Sequence, residues 1–222
     1  MGNMYTVHIV RNGRPMDVLG ALHGRDAALF FVRPGWSIVS DRLSGLQHPQ
    51  SVEAVARLLS RSGGPCMSVL NHDDDALQVQ VAIDGRVVDI YESSPGWGDG
   101  RVLRPTGGRA RGWCHSFAED DPGLSAELER VLRYWRGASP ADAPWKLSED
   151  GRLDEVDRHA AIARLLGMPP QSVGVGYASL ALGELPAGLD AGDITWLKDP
   201  TGGPPGVLGF PGLTILGGLG DA

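Results

Sequence analysis

At 222 residues the chain is long enough to bury a proper core, as one large domain or two small ones. Its 42% apolar and 21% charged residues suit a globular protein, and its 32 glycines are about twice ordinary usage. No apolar run approaches the ~18 residues of a membrane span, and residues 1–11 lack the basic stretch and apolar core of a signal peptide, so the expectation is a soluble, cytoplasmic protein without a membrane partner.

Of the 20 cationic residues only Lys146 and Lys198 are lysine, a usage that reads as the coding bias of a GC-rich bacterial genome. Cys66 and Cys114 are too few for a disulfide framework and read as two reduced, buried thiols. The net charge of −7 is unevenly placed: residues 1–111 hold 12 Arg/Lys against 11 Asp/Glu, and residues 112–222 hold 8 against 16. An acidic half repels phosphate backbones, which disfavours nucleic acid as a partner.

In chain order, Tyr5-Thr6-Val7-His8-Ile9 alternates apolar and polar like a half-buried strand, and Asn12-Gly13 supplies a turn. Pro15 to Leu22 reads as a short helix. Ala28 to Val32, Pro34-Gly35 and Trp36 to Val39 read as a hairpin, because proline presets φ and glycine takes the positive φ after it. Val52, Val55, Leu58 and Leu59 mark a helix stopped by Gly63-Gly64. Residues 65–70 form the next strand. Leu77, Val79, Val81 and Ile83 then alternate up to Asp84-Gly85, with Val88 and Ile90 on the return strand, a strong hairpin signal.

Residues 92–116, rich in Gly, Pro, Ser and Arg, read as a long connector. Asp121-Pro122 opens a helix with Leu124, Leu128, Val131 and Trp135 on one face, closed by Gly137. A second helix spans about Asp154 to Leu166 and stops at Gly167; a shorter third starts at Pro170 and carries Val173, Tyr177 and Leu180. The last 25 residues are Gly/Pro-punctuated yet too apolar for a flexible linker, and are expected to pack on the body or on a partner. The fold class is therefore α+β. It comprises an N-terminal unit of mixed sheet, hairpins and one or two helices (1–116), a helical segment (117–197) and an apolar tail (198–222), whether as separate units or as one continuous domain.

The run Asn71-His72-Asp73-Asp74-Asp75 places oxygens as a calcium loop begins, but Ala76 and Ala82 stand where that loop needs Gly and Glu. A looser cation site on His72, Asp73 and Asp75 is weighed against a solvated turn in which Asp and Asn bond their own backbone. With Val88-Asp89-Ile90-Tyr91 and Ser94-Pro95-Gly96-Trp97, this run resembles a stretch in bacterial proteins without an assigned activity, over residues 69–97. The resemblance implies no activity for this chain.

Arg101, Arg104, Arg109 and Arg111 flank Pro105-Thr106-Gly107-Gly108, a set that can bind an anion through arginine forks and glycine N–H groups. The phosphate-loop ending and the dinucleotide fingerprint are missing, so no cofactor is expected. A solvated connector paired with the acidic half is the competing reading. Trp36, Trp97, Trp113 and Trp145 lie in or near Gly/Pro-rich stretches, where indoles can anchor a ligand or partner; Trp97 and Trp113 stand beside the arginines.

Ala163, Gly167 and Val173 reproduce the spacing of a helix-turn-helix and resemble the turn of sigma-factor-like DNA readers. The would-be recognition helix, 174–182, lacks Arg, Lys, Asn and Gln, which read base edges, so a packing hairpin fits better. The sequence has no Gly-x-Ser-x-Gly elbow and no spaced Cys/His set, and a thiol–imidazole pair would have to join Cys66 or Cys114 to a distant His8, His72 or His159. The leading expectation is a non-catalytic module that binds another protein. The alternative is an enzyme or binder of a small anionic ligand near 71–75 and 92–116.

Overall fold

The computed structural model describes residues 4–95, 104–118, 121–135, 138–144 and 154–197. Eight strands form one antiparallel sheet in the order β7-β6-β5-β4-β1-β3-β2-β8. The first strand, β1 (Tyr5–Arg11), lies between β3 (Trp36–Asp41) and β4 (Cys66–His72), with Ile9 opposite both Ile38 and Met67. Two hairpins flank it. β2 (Ala27–Arg33) turns into β3 at Pro34-Gly35, where Gly35 takes φ 80°. β4, β5 (Ala76–Ile83) and β6 (Arg86–Glu92) form a meander on the other side. Its second turn puts Asp84 at φ 49° and Gly85 at φ 76°, the two left-handed residues a tight two-residue hairpin demands.

Helices cover both faces. On one face lie α1 (Pro15–Ala21) and α2 (Pro49–Gly63). Val52, Val55, Ala56 and Leu59 of α2 recur at the spacing of a single helical stripe, and burying each valine or leucine side chain contributes about 1.5–3 kcal/mol. Val55, Ala56 and Leu59 pack with Val10, Val39, Cys66 and Ala82 of the sheet. On the opposite face α3 (Ala110–Phe117), α4 (Pro122–Arg133), α5 (Glu155–Leu165) and α6 (Tyr177–Ala181) share one core with Ile9, Ile38, Val69, Val79 and Tyr91. Among the described residues no helix is long and apolar enough to cross a membrane.

This layering corrects several expectations. β1 is buried on both sides, and its polar Thr6 and His8 are as enclosed as Val7 and Ile9, because neighbouring strands and helices surround it. The connector at 92–116 contains α3, whose Ala110, Trp113, Cys114 and Phe117 form a buried stripe within only two turns of glycine- and arginine-rich sequence. In 117–197, for which separate units and one continuous domain were both open, α4–α6 pack on the same sheet, and β8 (Thr195–Trp196) pairs with β2. At the other edge β7 (Thr106–Gly107) pairs with β6.

The Asp121-Pro122 start of α4 is as read, with the Asp121 carboxylate accepting from Gly123 N at 2.8 Å. Its end comes earlier than Gly137, at Arg133. Buried side chains from other elements take the carbonyls of its last turn: Arg158 donates to Val131 O (2.7 Å) and Tyr134 O (2.8 Å), and Tyr91 donates to Leu132 O (3.0 Å). The third helix splits into a 3-10 turn at Pro170–Ser172 and α6, which begins after Gly176. The tail, 198–222, lies outside the described residues.

Candidate functional site

The groups best equipped for covalent chemistry sit in the interior. His8 and Ser68 pair across β1 and β4 beneath α2, and His8 Nδ1 lies 2.6 Å from Ser68 Oγ. Cys66 Sγ is 3.9 Å from the same hydroxyl, so sequence-distant Cys66 and His8 do meet one cluster. All three are fully buried. Burial pushes the Cys66 thiol up to about 12 and pulls His8 down to about 4, leaving a protonated thiol and a neutral imidazole.

Asp41 lies on the same face. Burial raises its carboxyl, but the two-pronged Arg25 bond (2.8 and 3.0 Å) and the Ser44 N–H outweigh that and hold it below the usual range. A Ser, a His and an Asp are therefore gathered, each no more than 1% exposed. A nucleophile that no substrate can reach serves packing and hydrogen bonding. The other buried imidazole, His159 of α5, accepts or donates at Nδ1 with Tyr5 Oη at 2.7 Å, and burial lowers it to about 3.

The acidic turn is occupied by its own bonds. Asp73 and Asp74 take left-handed φ values of 55° and 59° between β4 and β5. Asn71 Nδ2 donates to Asp74 Oδ1 (2.7 Å), Asp74 N donates to Asn71 Oδ1 (3.2 Å), and His72 Nδ1 bonds Gln47 Oε1. Among the described residues no three His, Cys, Asp or Glu side chains converge as metal ligands, so His72, Asp73 and Asp75 are not assembled as a cation site.

The arginine set is divided. Arg104 stacks over Trp135, with 5.4 Å from its guanidinium carbon to the ring centroid. Arg109 and Arg111 line a groove of about 710 Å³ between α3 and α4, together with Ser125, Glu129 and Arg133. Arg133 is already committed, to Glu129 Oε1 and Gly107 O, both at 2.8 Å. Trp113 is not a loop anchor: it sits on α3, 1% exposed, and its Nε1 donates to Asp89 Oδ2 at 2.7 Å. Arg101 and Trp97 lie outside the described residues.

A second groove, of about 550 Å³, brings together residues that sequence reasoning did not connect. The register pairs Trp36 with Arg11 on one neighbouring strand and with Arg33 on the other. The result is a cross-strand row, Arg11–Trp36–Arg33, in which the guanidinium carbons lie 4.8 and 5.6 Å from the indole centroid. Arg164, from the last turn of α5, and Asp121 share the lining, over a partly apolar wall that includes Leu124 and Leu165. Among the described residues neither Arg11 nor Arg33 has a carboxylate partner, and Arg164 has only Glu127 at 3.9 Å. The available signal was Arg33 beside the Pro34-Gly35 turn and Trp36; what was missing was the strand order that brings Arg11 alongside them. Comparison with family models, with curated proteins and with solved structures gave no match.

Proposed function

We propose that this chain is a non-catalytic, protein-binding module of the bacterial cytosol, with the groove around Arg11, Arg33, Trp36 and Arg164 as its docking face. The observation that carries the reading is the cross-strand arginine–tryptophan row at an open groove, in a chain whose net charge is −7. Guanidinia without a carboxylate partner among the described residues, held in fixed positions over a buried indole, favour recognition, since arginine is prominent in binding hot spots. The Cys66–His8–Ser68 cluster and His159 are enclosed, each at 0% exposure. A ligand in either groove meets arginines and apolar walls instead.

The test is site-specific photocrosslinking in extract of the native host. A benzophenone amino acid at the exposed Pro34, on the groove, is compared with one at the exposed Ala54 of α2. The expected result is one protein adduct at Pro34, absent at Ala54 and lost with Arg33→Glu. Equal labelling at both positions defeats the proposal, as does native mass spectrometry showing a bound small molecule that Arg109→Gln/Arg111→Gln releases. That second result would favour the anionic-ligand reading.

A further inference from the structure

We infer that the partner presents an acidic peptide segment to this groove, with an apolar side chain flanked by two carboxylates. The inference rests on the reading of the groove as a docking face and names what docks there.

Three observations select the chemistry. First, the two outer arginines of the row stand on strands separated by β3, which spaces their backbones roughly 9–10 Å apart. Side chains of an extended segment alternate between faces, so carboxylates four residues apart share one face with the side chain midway between them. Their roughly 13 Å backbone separation, at about 3.3 Å per residue, is closed by the flexible glutamate and arginine stems, and each guanidinium can take a carboxylate by a two-pronged bond. Arg164, from α5, supplies a third cation to the lining.

Second, the groove is not lined by cations alone. Leu124 and Leu165, both half-buried, give it apolar surface, which an aliphatic side chain between the carboxylates would cover. Third, the site is poorly matched to phosphate-rich ligands. Trp36 is 3% exposed with Arg11 and Arg33 over its ring, so it offers no free face for a base to stack on. Phosphates favour a free N–H end, but that of α4 in the groove is already taken by the Asp121 carboxylate, which accepts from Gly123 N at 2.8 Å. Another terminus there is the carbonyl end of α5, at Leu165, Leu166 and Gly167. A peptide brings backbone N–H donors for that end as well as carboxylates for the arginines. Asp121, also in the lining, adds repulsion against a dense run of negative charge and tolerates a spaced pair.

The experiment is a calorimetric titration of the full chain at low salt with four probes. These are a synthetic decapeptide with glutamates four residues apart and a leucine midway between them, the same peptide with glutamines, inorganic tripolyphosphate, and single-stranded oligo-thymidine. The glutamate peptide is expected to bind about tenfold or more tightly than the glutamine peptide, and to weaken as salt is added. Arg11→Gln/Arg33→Gln should lower its affinity by about tenfold, and Arg109→Gln/Arg111→Gln should leave it unchanged. Arg164→Gln, an exposed position outside the tryptophan stack, keeps the test valid if the double variant unfolds, and should cost about three- to fivefold.

The inference falls if the glutamate peptide does not bind, if the glutamine peptide binds equally, or if tripolyphosphate or oligo-thymidine binds as tightly as the glutamate peptide. It also falls if binding is lost only in the Arg109/Arg111 variant. A specific Pro34 crosslink together with any of those outcomes leaves the docking face standing and removes only the acidic assignment. Loss of both removes the two readings together.

Discussion

Replacing Arg158 by methionine should be among the most damaging single changes in the molecule. The side chain is fully buried, and its guanidinium donates from Nε to Glu155 Oε2 at 2.7 Å and from Nη1 to Val131 O and Tyr134 O at 2.7 and 2.8 Å. Methionine fills much of the volume but strands a carboxylate that is 1% exposed and two carbonyls at the end of α4. Removing one partner of a buried ion pair costs about 3–5 kcal/mol, a large share of the ~5–15 kcal/mol that holds a typical domain together. With a urea m value of about 2–3 kcal/mol/M for a chain of this size, the unfolding midpoint should fall by roughly 1.5–2 M at unchanged m. Adding Glu155→Gln to the variant should recover part of that loss, because the uncompensated charge is gone while the stranded carbonyls remain. Equilibrium urea denaturation followed by tryptophan fluorescence measures all four corners of the cycle. A midpoint shift below ~0.4 M for Arg158→Met, or strict additivity of the two changes, would refute the assignment of Arg158 as the clasp between α5 and the end of α4.

Other outcomes follow from the interior. His8 and His159, pulled down by burial to about 4 and about 3 from an unfolded value of 6.5, take up fewer protons when folded than when unfolded. Stability should therefore be full above pH ~6.5 and fall with pH below it, each imidazole removing about 2 kcal/mol between pH 6.5 and 5; equal urea midpoints at pH 7 and pH 5 would contradict this. Tyr5→Phe leaves His159 Nδ1 without its hydroxyl partner while Nε2 already has none in the protein, and should cost about 1–3 kcal/mol in the same assay. Gly107→Ala drives a Cβ into Ile90 O at a φ of 69°, and a loss of about 2–3 kcal/mol is expected; a neutral result would mean that β7 does not sit against β6 as described. Cys66, with its thiol raised to about 12 and fully buried, should resist a thiol-specific disulfide reagent at pH 8 until denaturant is added.

Local chemistry alone determined a good deal of this protein. The Pro34-Gly35 and Asp84-Gly85 turns, the α2 helix, and the Asp121-Pro122 start of α4 are each set by φ preferences, side-chain period or a cap within a few residues, and the structure has them where the sequence places them. The α+β class follows from those elements. What tertiary structure decided is whatever depends on which strand lies beside which. Thr6 and His8 look solvent-facing on an alternating strand and become core only because β1 is central and helices close both faces. The end of α4 is set by Arg158 and Tyr91, which come from distant elements, and β7 and β8 are too short to carry a pattern of their own.

The candidate site shows the same division. Arg109 and Arg111 were legible as a pair and do share a groove, whereas Trp113 turned inward because its helical stripe, hidden in a glycine-rich stretch, faces the sheet. Trp36 stands out in the sequence only as a tryptophan beside a Gly/Pro turn, and Arg11 and Arg33 do not stand out at all. The order β1-β3-β2 and a fixed register set them side by side, and α5 and the start of α4 complete the groove around them. Periodicity reports which face of its own element a residue occupies, and only strand pairing and helix packing report what stands across from it.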